Sequence, residues 1–293
     1  MKIGPLFKQK TVFSFEIFPP RPTASIQTIY STLDRLKGLE PDFISVTFGA
    51  GGNINDQLTV DIAEKIQKEH FLPSVAHLPA ANLTKAEVRD ILHELSEKKV
   101  KNILALRGDL LPDSTPKTDF KYASDLVQFI KENGDFHVVG ACYPEVHAEA
   151  KNSVEDIKSL KIKVDSGVDQ LITQLFFDNR SFYNFKEKCE IANIDVPIQA
   201  GIMPVVNKKQ VERIVKMSDV SLPEKFIKMM EKYEHNPEAF RDAGIAYAIN
   251  QIVDLVAQGV DGIHLYTMNN PYVAQRIRVA TRSLFNVPKE PSS

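Results

Sequence analysis

Cysteine is scarce in this chain of 293 residues: Cys142 and Cys189 are the whole supply, and they stand far apart in sequence. The opening MKIGPLFKQK has no apolar run of signal-peptide length. Together these argue against a disulfide framework and for a reduced, cytoplasmic setting. No stretch has the roughly 20 apolar residues that a membrane-spanning helix needs. Charge of one sign is also lacking, with 36 basic against 38 acidic residues and a formal net charge of -2. That balance points to neither nucleic acid nor an anionic membrane as partner. The seven histidines form no HxH or HExxH pattern, so no metal site is expected. What remains, 43% hydrophobic and 25% charged residues, is enough to build a large buried core.

The stretch that organises the rest is Thr11 to Arg21, TVFSFEIFPPR. It reads as a strand stopped at Pro19-Pro20, because proline has no N–H for the ladder. Alternation sends Phe13, Phe15 and Ile17 one way, and Ser14, Glu16 and Phe18 the other. Glu16 is the oddity, a lone carboxylate among apolar and aromatic neighbours. Burial there demands either a cation or retention of the proton, and the second makes a general acid.

Seven further strand-like runs follow: Phe43–Phe48, Pro73–Leu78, Asn102–Leu106, Phe136–Cys142, Gln170–Phe177, Pro197–Ile202 and Gly262–Thr267. Between them apolar residues recur at three and four positions, the helical period. Thr84-Lys-Ala-Glu87 is a capping box, Ser153 to Asp156 opens another helix, and Gly38, Gly167 and Gly259 read as helix stops. Between runs seven and eight lies extra length, read as helices Glu224–Tyr233 and Glu238–Gln258. Eight alternating strands and helices predict an α/β fold, a (β/α)8 TIM barrel over residues 1–293 as one domain, with extra helices between strands 7 and 8. The rival open sheet would want G-x-G-x-x-G after strand one, where Pro-Pro stands instead.

Barrel chemistry collects at the C-terminal strand ends. Those ends carry Glu16, Thr47, His77, Arg107-Gly108-Asp109, Tyr143-Pro-Glu-Val-His147, Gln174, Met203-Pro204 and Tyr266-Thr267-Met268-Asn269. No serine or cysteine sits in a nucleophile elbow, and no lysine ends a strand as a Schiff-base aldolase requires. Acid, second carboxylate, arginine, histidine and amide suit a planar, phosphate-bearing cofactor and protonation of a substrate.

SFEIFPPR, VTFGAGG, LRGD, YPEVH, ITQLFFD, AGIMPV and LYTMN, from about Phe13 to about Asn269, resemble in order the motifs of the 5,10-methylenetetrahydrofolate reductase family, in its short bacterial form. The resemblance implies a flavoprotein barrel of one-carbon metabolism and methionine biosynthesis. In that family NAD(P)H reduces FAD, and hydride then passes to methylenetetrahydrofolate, giving 5-methyltetrahydrofolate in ping-pong fashion. Glu16 matches the family's general acid, which protonates N10 of the folate. Asp109 matches the carboxylate beside flavin and pterin, and Gln174 the amide shared by folate and nicotinamide. For FAD the pattern implicates Thr47, Phe48, Ala50, His77, Arg107, Gly108, Asp109, Tyr122, Ala123, Tyr143, His147, Ala150, Asp156 and Lys163. Gln210 matches a further folate contact.

The chain departs from the family at Asn270, where arginine is common, and Arg276 is the expected substitute for the folate tail. Ile214 replaces an aromatic ring that stacks on nicotinamide, and Phe48 replaces a tyrosine. NADH and NADPH stay undecided, and a homo-oligomer is expected. A folate- or flavin-binding barrel without turnover is the alternative. Glu16 and Asp109 argue against it, because a binder needs no acid.

Overall fold

The computed structural model describes residues 1–20, 23–48, 56–108, 119–217 and 220–287. Eight parallel strands close into a barrel in sequence order. They are β1 (Val12–Ile17), β2 (Phe43–Val46), β3 (Ser74–Pro79), β4 (Asn102–Leu106), β5 (His137–Cys142), β6 (Gln170–Thr173), β7 (Ile198–Ile202) and β8 (Gly262–Tyr266). The helices around them are α1 (Ile26–Lys37), α2 (Asp56–His70), α3 (Lys85–Glu97), α4 (Ala123–Asn133), α5 (Ser153–Asp165), α6 (Asn179–Ile191), α7 (Lys208–Met217), α8 (Glu224–Tyr233), α9 (Pro237–Ala257) and α10 (Pro271–Thr281). The extra helices between β7 and β8 are therefore present. No helix among the described residues is long and apolar enough to cross a membrane.

The alternation expected for β1 sets the architecture. Phe13, Phe15 and Ile17 enter the large shell between strands and helices, where they are essentially fully buried. Each phenylalanine contributes roughly 2–3 kcal/mol there. Ser14 and Glu16 turn into the barrel instead. The floor of the barrel is apolar: Val12, Phe43, Val75, Leu104, Val139 and Ile172 meet Ile3 and Phe7. Ile3 and Phe7 come from a short 3-10 turn, Gly4–Lys8, and its approach, which plug the lower end. The sequence pattern had not announced that plug, since a five-residue turn is too short to show a period.

Local signals held with some corrections. Thr84 and Glu87 form the capping box at α3, each side chain accepting from the other's backbone N–H. At α5 the cap is Asn152, whose Oδ1 accepts from Val154 and Glu155, so Ser153 is already inside the helix. Gly259 ends α9 at φ +75°, the left-handed position glycine favours. Gly38 stays right-handed at φ -62°, and Glu40 takes the left-handed turn at φ 53°. Strand β6 stops at Thr173, short of the predicted Phe177. Leu175, Phe176 and Phe177 are buried against helices rather than in the ladder.

Candidate active site

Glu16 ends β1 level with Ser45 on β2 and Tyr266 on β8. Its Oε2 lies 3.6 Å from His77 Nε2 on β3 and 3.6 Å from His264 Nε2 on β8. The carboxylate therefore faces two imidazoles across the barrel mouth. Burial pushes the His77 ring down to about 4, against the smaller upward pull of Glu16. His77 is thus neutral at physiological pH, and its Nε2 is buried with no hydrogen-bond partner among the described residues. His264 is fully buried; its Nδ1 is 2.7 Å from Ser14 Oγ and its Nε2 3.4 Å from Ser45 Oγ.

The backbone carrying Glu16 is clamped from β8. Thr267 Oγ1 donates to the Glu16 carbonyl at 2.6 Å. The Asn269 amide pairs with Phe18 as a strand would, accepting from its N–H at 3.1 Å and donating to its carbonyl at 2.8 Å. Met268 and Asn269 adopt φ 50° and 52° to bring that amide round. Beside the clamp, the Tyr266 hydroxyl donates to the Thr173 carbonyl at 2.7 Å. Gly201 makes room for that ring, since a Cβ there would meet it at 2.8 Å.

A second group of predicted residues gathers over β4 and β5. Arg107 forks onto Glu149, with nitrogen–oxygen distances of 2.5 and 2.7 Å, and this pairing holds the Glu149 carboxyl below its usual range. Gly108 sits at φ +82° against Pro79, where a Cβ would lie 2.6 Å from the proline ring. Tyr143 and His147 meet edge to face at 4.5 Å. Val146 between them is held at φ 80°, a strained angle for a β-branched residue. The His147 N–H donates to Asp156, and desolvation raises that carboxyl despite the bond. Lys163 is partly buried and donates to the Ala141 carbonyl at 2.5 Å; desolvation lowers its pKa. Ala150 closes a turn onto the His147 carbonyl.

Elsewhere the predicted residues are more dispersed. Thr47 and Phe48 follow β2, half-buried. Tyr122 is exposed at the start of α4, next to Ala123. Gln174 receives its own loop's Leu175 N–H on Oε1. Gln210 spends both ends of its amide on the β7–α7 loop, at Val206 N–H and the Pro204 carbonyl. Arg276 donates to the Tyr272 hydroxyl at 2.7 Å. Asp109 and Ala50, with Gly49, Gly51 and Gly52, lie outside the described residues.

The donor set over β4 and β5 suits a large anionic group. Its guanidinium already grips a carboxylate, its glycine permits close backbone approach, and the orphaned His77 nitrogen waits at the mouth. A family model for methylenetetrahydrofolate reductase matches residues 3–281.

The chain belongs to the methylenetetrahydrofolate reductase family.

It is 39% identical over 264 residues to 5,10-methylenetetrahydrofolate reductase of Escherichia coli strain K12, covering 90% of this chain and 88% of that one. Identity to the Pectobacterium carotovorum enzyme is 38% over the same shares. Methylenetetrahydrofolate reductase 1 of Schizosaccharomyces pombe is 35% identical, and this chain spans 45% of its length. Among solved structures, a Clostridium thermocellum protein that binds two copies of 5-methyl-5,6,7,8-tetrahydrofolic acid superposes with TM-score 0.69, covering 96% of this chain and 98% of that one. At 14% identity that likeness shows the fold alone. The protein is thus an oxidoreductase, a methylenetetrahydrofolate reductase on a TIM barrel.

Reading the sequence missed His264 and Ser45; it put Ser14 on the face of Glu16 and Thr267 and Asn269 at the end of strand eight, but not their bonds to His264, Glu16 and Phe18. One signal was available. In GIHLY the alternation puts Gly262, His264 and Tyr266 on one face, and a polar ring on that face of a barrel strand is unusual.

Proposed function

We propose that the protein reduces 5,10-methylenetetrahydrofolate to 5-methyltetrahydrofolate using FAD and NAD(P)H, the two substrates taking turns at one site. The observation that carries this reading is Glu16 at the barrel mouth, facing His77 and His264 at 3.6 Å and paired with no guanidinium among the described residues. When bound, the flavin accepts hydride from the nicotinamide and returns it to the folate.

Glu16 gives its proton to N10 of the folate, which opens the five-membered ring to the 5-iminium cation. Its position is fixed twice, through its carbonyl by Thr267 and through Phe18 by Asn269. His77, neutral through burial, offers a ring nitrogen to the cofactor rather than a charge to Glu16. Arg107 and Lys163 are the cations for its phosphates. Arg107 exchanges the Glu149 carboxylate for a phosphate oxygen, and Lys163 sits beside Asp156 on the same wall. Thr47, Phe48, Ala50, Gly108, Tyr122, Ala123, Tyr143, His147, Ala150 and Asp156 complete the cofactor wall. Asp109 stabilises the iminium cation, and Gln174 serves folate and nicotinamide in turn. Gln210 and Arg276 flank the folate, Arg276 taking its carboxylate tail. One catalytic domain, a homo-oligomeric assembly and a cytoplasmic setting belong to the same proposal.

The test is a pair of anaerobic half-reactions on the purified protein. It should be yellow, bleach with NADH or NADPH, and recover its colour with methylenetetrahydrofolate. Colourless protein that binds no added FAD would refute the cofactor. Bleaching without recovery by the folate would refute the substrate cycle.

A further inference from the structure

Below Glu16 the barrel interior holds, beside the branched side chains of its floor, polar ones that such interiors seldom pack. Five polar residues, His137, Gln170, Gln199, Ser14 and His264, are buried there in one connected column. Gln170 Nε2 lies 2.7 Å from Gln199 Oε1, and Gln170 Oε1 lies 3.2 Å from His137 Nε2. Gln199 Nε2 lies 3.1 Å from Ser14 Oγ, which is 2.7 Å from His264 Nδ1. The column has a seat built for it. A Cβ on Gly262 would stand 2.9 Å from Gln199 Cγ, so glycine there leaves space for the amide.

One backbone atom sets the column's direction. The Ile263 carbonyl lies 3.3 Å from the Gln199 amide terminus that also faces Ser14. An acceptor at that distance needs a donor, so this terminus is the NH2 group. Turning the amide over would set two oxygens against each other in a dry interior. With Nε2 there, Gln199 donates to Ser14 Oγ. The serine hydrogen then has two places to go, His264 Nδ1 at 2.7 Å or the Ile263 carbonyl at 3.5 Å. Spent on His264, the hydrogen makes the shorter and better bond; the reverse arrangement would leave it only the 3.5 Å contact. The favoured arrangement makes His264 Nδ1 the acceptor and puts the ring hydrogen on Nε2.

We infer that Gln199 is a positioning residue: anchored on the Ile263 carbonyl, it fixes through Ser14 the His264 tautomer that aims an N–H at Glu16. That Nε2–H faces Glu16 Oε2 at 3.6 Å and Ser45 Oγ at 3.4 Å. The other groups around the ring are Phe43, stacked at 6.2 Å, Tyr266, edge-on at 5.4 Å, and the neutral His77 beyond Glu16. None of them offers His264 a competing acceptor for the Nδ1 position. At 3.6 Å the donor stands just beyond hydrogen-bond distance of Glu16 Oε2, placed to close onto the carboxylate left when Glu16 has given up its proton. The tautomer stands on the column alone, whereas its use in turnover rests on the role proposed for Glu16.

The test reads the tautomer directly. Protein labelled with 15N-histidine, taken as isolated at neutral pH, is examined by 15N NMR, with His264 identified by the signal lost in His264→Gln. The expected wild-type spectrum has Nε2 protonated and Nδ1 accepting. An Nδ1–H or doubly protonated ring overturns the inference, and this needs no variant of the column. Gln199→Leu should then give a mixture of tautomers. It should slow the folate half-reaction roughly tenfold more than the nicotinamide half-reaction, with the loss varying with pH. An unaltered His264 signal in Gln199→Leu overturns the assignment to Gln199. A scrambled tautomer with both half-reactions slowed alike keeps the column and removes the proton-donor role of Glu16 instead.

Discussion

Glu16 and His77 face each other across the barrel mouth, Oε2 to Nε2, at 3.6 Å, and burial rather than the carboxylate governs the imidazole. A charged histidine would have made this a salt bridge; a neutral one leaves Glu16 without that ionic partner, as the proposed proton-donor role requires. Replacing Glu16 by Gln keeps the shape and removes the transferable proton. The folate half-reaction should fall by roughly 100-fold or more, the usual worth of a general acid. Flavin reduction by NAD(P)H should stay within about threefold, since that step needs no acid. Stopped-flow traces of each half-reaction decide it, and parallel losses would contradict the assignment.

Acid should destabilise the fold before most carboxylates titrate. His77, His70 and His137 are all buried, and desolvation lowers each of them, His77 to about 4. In the unfolded chain a histidine takes its proton near pH 6.5. Between about 6.5 and about 4 the unfolded state therefore binds more protons, so stability drops as pH falls through that window. His77 alone accounts for up to about 3 kcal/mol across it. Urea midpoints at pH 7 and pH 5 should differ in that direction, and by less in His77→Gln. Equal midpoints would show the histidines to be better solvated than the structure has them.

The clamp at the end of β8 should be measurable as stability. Asn269→Ala removes two backbone hydrogen bonds to Phe18 and puts alanine at φ 52°. The expected loss is about 1–3 kcal/mol, a drop of several degrees in Tm for a chain of this size. Asn269→Asp should be worse, because a carboxylate oxygen would replace the amide that donates to the Phe18 carbonyl. Thermal melts of both variants give the order, and Asp melting above Ala would be the contrary result.

Val146 carries strain that glycine would relieve. Its φ of 80° costs a β-branched residue about 1–3 kcal/mol, against roughly 0.5–1 kcal/mol of added unfolded-state entropy for glycine. Val146→Gly should raise stability by up to about 1 kcal/mol and keep the Tyr143–His147 contact. A destabilised variant would mean that the valine side chain, half-buried here, packs for more than the strain it bears.

Much of this was legible before any coordinates. The eight strands were marked by short apolar runs, and the closed barrel by their number and by Pro19-Pro20 where a phosphate-binding loop would be. Glu16 stood out because a carboxylate in an aromatic strand is costly wherever it points. Residues with local signals, such as the Thr84–Glu87 box, fell where propensity put them. Helix α5 likewise opens at Ser153 as read; its cap, Asn152, was not singled out because Asn152 and Ser153 both suit a cap and only the backbone angle chooses between them.

Sequence by itself determined the period of each element, the face each side chain takes and the order of the motifs, all of which are set within a few residues of chain. Only the tertiary structure decided which polar groups meet. Ser14 and His264 are 250 positions apart and bond because the barrel closes β1 onto β8. The same closure brings the Asn269 amide to Phe18, and the pairing of β7 with β8 brings the Ile263 carbonyl to Gln199. Such contacts leave no trace in local pattern, since each residue looks like an ordinary polar side chain until the sheet's register brings its partner within reach.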